Sequence, residues 1–242
     1  MAYERRAPAT ERVSIFIDGW NFARATYEGL GIRVDFKRLL ATLAGDRMLV
    51  RALYYIAEWS DESYGAMSNL RRVRAADAPP PPPDPAESDR RRVQQLGFIR
   101  MLNRNGYQVV KRPVLAFADG STKAAIGIDL ALDMPALADR CDRMILVSGD
   151  GDFVPIVRAV AARGVRVQVV ASQSPMAANS TPEHPRPFPA RASDDLLDAA
   201  DEFTELRDIA GLIELQEQRR PSRPFTPLEP QGGERSPEPA EA

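Results

Sequence analysis

The run Met144-Ile145-Leu146-Val147-Ser148-Gly149-Asp150-Gly151-Asp152-Phe153 joins a short apolar stretch to two carboxylates that alternate with glycines. Residues 144–147 are typical of a buried β-strand, and helical spacing begins at Phe153. In a parallel α/β sheet, ligands bind at the carboxyl ends of the strands. We therefore expect Asp150 and Asp152 to lie at the edge of such a sheet where a binding site forms.

A second apolar run ends in the same way near the start of the chain. Residues 13–17 form a strand-like stretch that Asp18 follows directly, and Asn21 comes three residues later. Two parallel strands would bring Asp18 close to Asp150, because both residues follow the carboxyl end of a strand. Carboxylate oxygens are ligands that suit Mg²⁺ or Mn²⁺, and the Asn21 amide could orient a substrate.

Strands and helices alternate along the rest of the chain. Helical spacing recurs in the segments that separate the strand-like runs 49–56, 107–110 and 165–170, namely in residues 20–28, 35–43, 90–105, 124–139, 153–163 and 194–200. Residues 114–117 and the Asp119-Gly120 turn indicate a small hairpin. The alternation predicts an α/β fold, a three-layer α/β/α sandwich with a mainly parallel central sheet.

Single residues mark where some of these helices begin, bend or end. Asp35 is a plausible N-cap, and Gly106 and Gly164 are natural caps at helix ends. Pro135 must kink its helix or begin a second one. The helix over 90–105 is expected to present one apolar face, formed by Val93, Leu96, Ile99 and Leu102.

The chain has 242 residues, enough for one domain of ordinary size with tails. We expect a Pro-rich insertion and a Pro-rich loop to interrupt that domain, because neither stretch favours a regular element. The predicted parts are a flexible leader (1–11), the domain (12–206) with its insertion (75–89) and loop (173–191), and a C-terminal helix with a disordered tail (207–242).

The composition excludes several classes of site. Lys and Arg number 32 against 34 Asp and Glu, so no overall basic field points to nucleic acid and none excludes it. The single Cys141 excludes an intrachain disulfide and a Cys-based zinc site. The single His184 lies in a Pro-rich stretch, so a Ser/His/Asp site is not expected. The polar N-terminus and the lack of a long apolar run predict a cytoplasmic protein.

Each acidic candidate has an ordinary alternative role. Asp18 could act only as a turn or helix cap, and Asp150 with Asp152 could cap the following helix. Against that, two carboxylates at a strand–helix junction repel a phosphate unless a divalent cation lies between them. The arrangement therefore favours phosphate chemistry that a metal ion mediates over simple nucleotide binding.

Two further acids share one face of a predicted helix. Asp129 and Asp133 are four residues apart, and like charges at that spacing are unfavourable unless a cation neutralises them. Lys123, one turn or more upstream, could do so. The alternative is a solvated face, which the apolar neighbours Leu130 and Met134 make less favourable.

Basic residues are candidates for contact with a nucleic-acid backbone. Arg90, Arg91 and Arg92 begin a predicted helix, Lys111 follows the third strand, and Lys123 precedes the acidic helix. The ordinary alternative for each is a solvated surface. Trp20 could stack on a base, although isolated aromatic residues are more often packing residues.

Four segments occur in an order that resembles a known family. They are residues 15–21 (IFIDGWN), 106–110 (GYQVV), 128–134 (IDLALDM) and 146–155 (LVSGDGDFVP). Together they resemble the NYN domain family, the LabA-like branch of the PIN-like nuclease superfamily, over roughly residues 12–206. The resemblance implies a PIN-like, Rossmann-like fold and metal-dependent ribonuclease chemistry.

The resemblance also assigns residues. Asp18, Asp150 and Asp152 match the acidic site of the family, and Asn21 matches the accompanying amide. Many relatives carry an Asp at the place that aligns with Gly127. The candidates for the helix acid of this chain are therefore Asp129 and Asp133.

The hypothesis that follows is an endoribonuclease that depends on Mg²⁺ or Mn²⁺. Water would attack the phosphodiester in line, and the resemblance implies products with 5′-phosphate and 3′-hydroxyl ends. The alternative, which Gly127 motivates, is an RNA-binding or regulatory module that has lost catalysis. A third hypothesis is a phosphatase or a small-nucleotide enzyme on a similar sheet. It is less favoured, because such an enzyme would carry a nucleophilic Asp in a pattern such as Asp-x-Asp after the first strand, and position 20 is Trp20. The candidate partners are RNA, a second copy of the chain and a protein that binds the Pro-rich segments; a membrane is not expected to be one.

Overall fold

The computed structural model describes residues 10–58, 60, 85–116, 122–123, 126–173 and 191–216. The expected leader before Thr10, most of the two Pro-rich segments and the tail after residue 216 therefore lie outside the described residues. The same holds for His184 and for the Asp119-Gly120 turn.

Six strands form one sheet in the order β3-β2-β1-β6-β7-β8, and every neighbouring pair is parallel. Their bounds are β1 Arg12–Asp18, β2 Met48–Glu58, β3 Gln108–Pro113, β6 Arg143–Val147, β7 Arg166–Ala171 and β8 Glu202–Glu205. β4 Leu115–Ala116 and β5 Thr122–Lys123 form a separate antiparallel pair where a hairpin was expected, and the residues that join them lie outside the described part of the structure. The central position of β1 explains its composition, since a strand that is covered on both faces can be apolar throughout.

Helices cover both faces of the sheet. They are α1 Gly19–Ala23, which continues as a π-helix over Arg24–Leu30, α2 Phe36–Ala44, α3 Pro85–Arg104, α4 Ile126–Leu137, α5 Val154–Ala161, α6 Asp194–Ala199 and α7 Leu206–Ile213. Short 3₁₀ turns follow α4 (Ala138–Arg140) and precede α5 (Gly151–Phe153). As expected, Asp35 caps α2 by accepting hydrogen bonds from two backbone amides, and Gly106 and Gly164 have positive φ.

Two hydrophobic clusters lie on either side of the sheet. Phe16 and Tyr55 pack with Leu130 of α4 and with α5 and α6. Ile15 and Ile17, which alternate with Phe16 along β1, pack with α1, α2, α3 and α7 in the other cluster. The three-layer α/β/α sandwich with a parallel central sheet is thereby confirmed.

Several expected elements differ in the structure. Residues 202–205 form an edge strand that was not predicted, because the alternation of Glu202, Phe203, Thr204 and Glu205 does not resemble the apolar inner strands. Helix α3 begins at Pro85, inside the stretch expected to lack regular structure; proline is well tolerated in a first helical turn.

The apolar face expected for α3 is wrong in part. Val93 and Leu96 are exposed, whereas Leu102 is buried and Phe98 packs against the core. The apolar side chains by which α3 packs in the core therefore lie in its C-terminal half. Pro135 does not start a second helix, since α4 continues through it to Leu137.

None of the helices in the described part of the chain is long and apolar enough to cross a membrane.

Candidate active site

The pairing of β1 with β6 brings the two acidic runs to the same edge of the sheet. Ile17 lies opposite Val147 in that pairing, so Asp18 and the loop that begins at Ser148 both leave the sheet at its carboxyl edge. Asp18 is partly buried, whereas Asp150 and Asp152 are exposed. The site therefore combines one sheltered carboxylate with two that water can reach.

The two oxygens of Asp18 have different partners. Oδ1 accepts a hydrogen bond from the backbone N–H of Asn21 at 3.1 Å, which caps α1. Oδ2 accepts a hydrogen bond from the hydroxyl of Ser148 at 3.2 Å. The role as a cap and the place in the acidic site, which the sequence left as alternatives, are therefore combined in one side chain.

The Asn21 side chain and the Ser148 hydroxyl connect the two runs. Asn21 Oδ1 accepts a hydrogen bond from the N–H of Gly149 at 3.0 Å. Ser148 Oγ accepts one from the N–H of Asp150 at 3.2 Å while it donates to Asp18. Ser148 was not a candidate from the sequence, although its place between an apolar strand and an acidic loop was a usable signal.

Asp150 shapes its own loop. Its Oδ1 accepts a hydrogen bond from the N–H of Asp152 at 3.0 Å and caps the short 3₁₀ turn. The backbone around it is held tightly, because a Cβ on Gly149 would lie 3.0 Å from Ala192 Cα. The space beside Gly149 and Gly151 is filled by the chain itself at Ala192 and Ser193. The N–H of Ser193 also donates a hydrogen bond to the Gly149 carbonyl at 3.0 Å.

The pKa of Asp18 is raised above the usual value for an aspartate. Burial is the main cause, and the negative charge of Asp150 adds to it. The hydrogen bonds from Asn21, Ser148 and Trp20 act in the opposite direction and favour the charged form. A cation between the two carboxylates would remove the repulsion, so the electrostatics favour a bound positive charge.

The two acids of α4, Asp129 and Asp133, each form a side-chain contact with a strand of the sheet. Asp133 Oδ2 accepts a hydrogen bond from the hydroxyl of Tyr55 at 2.9 Å, and Tyr55 lies opposite Asp18 in the β1–β2 pairing. Asp129 forms a two-bond ion pair with the guanidinium of Arg112, which lowers the pKa of Asp129. The cation that neutralises Asp129 is thus Arg112, where the sequence suggested Lys123.

Gly127 lies near the acidic loop. It is exposed in the first turn of α4, and a Cβ added there would lie 3.7 Å from Phe153 Cε1, an ordinary contact distance. A side chain at position 127 would therefore fit without displacing its neighbours.

The donor set suits a small hard cation with water ligands. Among the residues that the structure describes, no three His, Cys, Asp or Glu side chains lie close enough together to hold a metal ion. Mg²⁺ is commonly held by only one or two carboxylates, with water in its other positions. Asp18 is partly buried and Asp150 is exposed, and both lie at the same edge of the sheet. These two carboxylates fit a Mg²⁺ ion that is held by two protein ligands and water.

The basic candidates have varied surroundings. Lys111 pairs with Glu58 at 3.1 Å on the surface, and the Arg90 side chain donates to the carbonyl of Ala86 at 3.1 Å. Arg91 is half-buried and Arg92 is exposed on α3. The backbone of Lys123 lies in β5, and its side chain is outside the described part of the structure.

Known proteins resemble this chain in sequence and in fold. The low amplitude and bright protein LabA of Synechococcus elongatus is 27% identical over 133 residues, which are 52% of this chain and 63% of that protein. The crystal structure of a protein of unknown function from Vibrio parahaemolyticus superposes with a TM-score of 0.59 at 23% identity, covering 87% of this chain and 99% of that one. The sequence model of the NYN domain matches residues 12–207. With that match over most of its length, the chain belongs to the NYN domain family.

Proposed function

We propose that the protein is an endoribonuclease that depends on Mg²⁺ or Mn²⁺. Membership of the NYN family, whose members are PIN-like nucleases, supports a nuclease role in general. The observation that carries the finer proposal is the meeting of Asp18 and Asp150 at one edge, where burial and their mutual repulsion raise the pKa of Asp18. Such a pair is stabilised by a cation and is suited to phosphate chemistry.

Asp18 and Asp150 would hold the ion, with Asp152 and Asp133 as further acids on the same side of the molecule. When bound, the ion lowers the pKa of a water molecule and neutralises charge on the phosphate oxygens. Ser148 positions both carboxylates, since its hydroxyl donates to Asp18 and accepts from the N–H of Asp150. Asn21 holds the loop at Gly149, so the two halves of the site stay in register.

Asp129 has a different role in this proposal. Its ion pair with Arg112 uses both of its oxygens, so it holds the end of β3 against α4 and acts through that contact. Of the basic candidates, Arg91 and Arg92 on α3 are the ones that we propose to contact the RNA backbone. Lys111 would have to leave Glu58 to do so.

Cleavage of an end-labelled pool of mixed RNAs tests the proposal. Wild type and Asp150→Asn are compared with Mn²⁺ and with EDTA, and Asp46→Asn serves as a control because Asp46 lies in the turn before β2, at the opposite edge of the sheet. We expect internal cuts by wild type and by the control with Mn²⁺ only, and a loss of at least about 100-fold in Asp150→Asn. Intact RNA at every concentration of wild type would contradict the proposal.

A second function is favoured by one feature of the helix acids. Asp129 is occupied by Arg112, and Gly127 carries no side chain, so the side of the site formed by α4 supplies only Asp133. An RNA-binding module without catalysis would show RNA retention in a gel shift that survives Asp18→Asn and needs no metal ion. Metal-dependent cutting that Asp150→Asn abolishes would exclude this alternative.

A further inference from the structure

A large cavity adjoins the acidic site on the other face of the sheet from α4. Its volume is about 870 Å³, and Gly19 and Trp20, the two residues after Asp18, line it. It lies between α1 with the π-helix that follows it, the start of α2, and α3 from Arg91 onward, with Tyr54 of β2 in its wall. We call it the Trp20 cavity. Its volume falls within the range of roughly 300–1,000 Å³ that is usual for ligand pockets.

The aromatic lining favours a flat ligand. Trp20 is 54% exposed and Tyr27 is 61% exposed, and both line the cavity. Phe36, Tyr54 and Phe98 form mutual edge-to-face contacts deeper in the wall, with ring centroids 5.3–5.8 Å apart. Exposed aromatic rings on a rigid aromatic base are the surface on which unpaired nucleobases stack.

The polar lining favours a ligand with negative charge and amide-like edges. Arg33, Lys37 and Arg91 contribute three cations. Asp35 is the one acid among the described lining residues, and its Oδ1 already accepts hydrogen bonds from the N–H groups of Lys37 and Arg38 at 3.0 and 3.1 Å. The cavity therefore complements an anion, and a purely apolar occupant would desolvate these cations without compensation.

Two glutamines supply groups that can recognise a base edge. Gln95 donates from Nε2 to the carbonyl of Ala57 at 3.1 Å, which fixes the orientation of its amide. Gln94 is exposed beside it on α3 and lines the same cavity. A carboxamide offers both donors and acceptors, as the edge of a nucleobase does.

We propose that the Trp20 cavity binds an unpaired nucleobase of the RNA strand, next to the phosphate that lies at Asp18 and Asp150. The identity of the ligand as RNA rests on the proposed function. Trp20 and Tyr27 stack on the base, the glutamines contact its edge, and Arg33, Lys37 and Arg91 contact the neighbouring phosphates. The cavity thereby directs the enzyme to single-stranded or looped RNA, since a paired base cannot enter it.

The test measures binding without cleavage. Fluorescence anisotropy in EDTA, in the Asp150→Asn background, compares a single-stranded oligoribonucleotide with one of the same length in which the central nucleotides lack their bases. We expect the abasic strand to bind about 5- to 150-fold more weakly, which is the effect of losing one stacked base. Trp20→Ala with Tyr27→Ala should weaken binding of the normal strand by a similar factor and leave the affinity for the abasic strand unchanged.

Two further variants control for folding and for surface apolarity. Trp20→Phe keeps an aromatic ring and should retain most of the affinity. Met48→Ala removes an exposed apolar side chain at the start of β2, at the opposite edge of the sheet, and should change nothing. Equal affinity of the parent protein for both strands, or equal weakening of both strands by the aromatic variants, overturns the proposal, as does the absence of any binding.

The outcome is separable from that of the cleavage experiment. Cleavage by wild type together with binding that ignores the bases would overturn the Trp20 cavity proposal alone. Base-dependent binding by a protein that cuts no RNA with any metal ion would overturn the nuclease proposal and leave the cavity as the site of an RNA-binding module.

Discussion

At Asp18, one oxygen of the carboxylate caps a helix and the other meets the hydroxyl of Ser148. The sequence indicated an acid at this place, because an apolar strand ends there. The sequence also predicted that Asp150 would lie close by, but it did not indicate that Asp18 would be partly buried. That burial depends on contacts with residues such as Ser148, which come far later in the chain, so it could not be inferred from local pattern.

The stability of the protein without metal should increase when Asp18 becomes Asn. The pKa of Asp18 is raised in the folded state, so folding favours the neutral form and the protein loses stability as pH rises through that pKa. Asn mimics the neutral form and removes this loss. We expect Asp18→Asn to melt a few degrees higher than wild type at pH 8 in EDTA, with the difference shrinking as pH falls toward 4.

Asp142 provides a control for which the expected change in melting temperature has the opposite sign. Arg12 lowers the pKa of Asp142 to about 2, so this group stabilises the fold above pH 4 and the effect is lost between about pH 4 and pH 2. Asp142→Asn should therefore lower the melting temperature at pH 8. An Asp18→Asn variant that melts below wild type at pH 8 would contradict the assigned repulsion.

Gly127 offers a direct gain-of-function experiment. A side chain there is exposed and makes only an ordinary contact with Phe153, so Gly127→Asp should fold and add a carboxylate near the acidic loop. We expect Mn²⁺ affinity to rise about tenfold, or about 1.4 kcal/mol, in calorimetric titration. Gly127→Asn, of the same shape and without charge, should not show this gain, and equal affinities in both variants would exclude a ligand role.

At the scale of elements, the local signals in the sequence were reliable where one residue determines a boundary. Asp35 precedes α2 and Gly106 follows the end of α3 as expected, because a cap depends only on neighbouring backbone groups. The sequence was less reliable for elements whose type or packing depends on tertiary contacts. The edge strand β8 has half-buried, alternating residues, and the apolar side chains by which α3 packs in the core lie in its C-terminal half.

The loop that carries Asp150 depends on the close approach of a distant segment. A Cβ at Gly149 would lie 3.0 Å from the backbone of Ala192 and must displace it. We expect Gly149→Ala to destabilise the fold by about 1–3 kcal/mol and to reduce cleavage more than stability alone explains, in denaturant titrations paired with activity assays.

Gly97→Ala is the matched control for Gly149→Ala. It lies inside α3 with nothing within 4 Å of an added Cβ. Gly97→Ala should stabilise the protein by about 0.5–1 kcal/mol, because alanine is the better helix former. Similar effects of the two substitutions would refute the close packing of the acidic loop against Ala192.

At the scale of the whole molecule, metal binding should be visible as stability. A ligand that binds only the folded state, at 100 times its Kd, stabilises by about 2.7 kcal/mol, which for a domain of this size raises the melting temperature by about 5–10 °C. We expect Mn²⁺ to produce this shift in wild type and in Asp46→Asn but not in Asp150→Asn. An equal shift in all three proteins would place the ion elsewhere.

The class of the fold was predictable from the alternation of strands and helices, but the order of the strands was not. The sheet places β1 between β2 and β6, so its two neighbours lie far apart along the chain. Periodicity carries no information on such pairings. The side-chain contacts that depend on these pairings, Asp133 with Tyr55 and Asp129 with Arg112, could therefore not be predicted from the sequence.

This strand order also determines when the acidic site comes into existence during protein synthesis. Asp18 leaves the ribosome early, but Ser148 follows 130 residues later, a delay of roughly 7–26 s at about 5–20 residues per second. During that interval β1 lacks one of its two neighbours, and the strand after which Asp150 stands has not been made. A nascent chain therefore has no assembled acidic site, and a nuclease built in this way cannot cut the messenger RNA that encodes it until most of its domain has been translated.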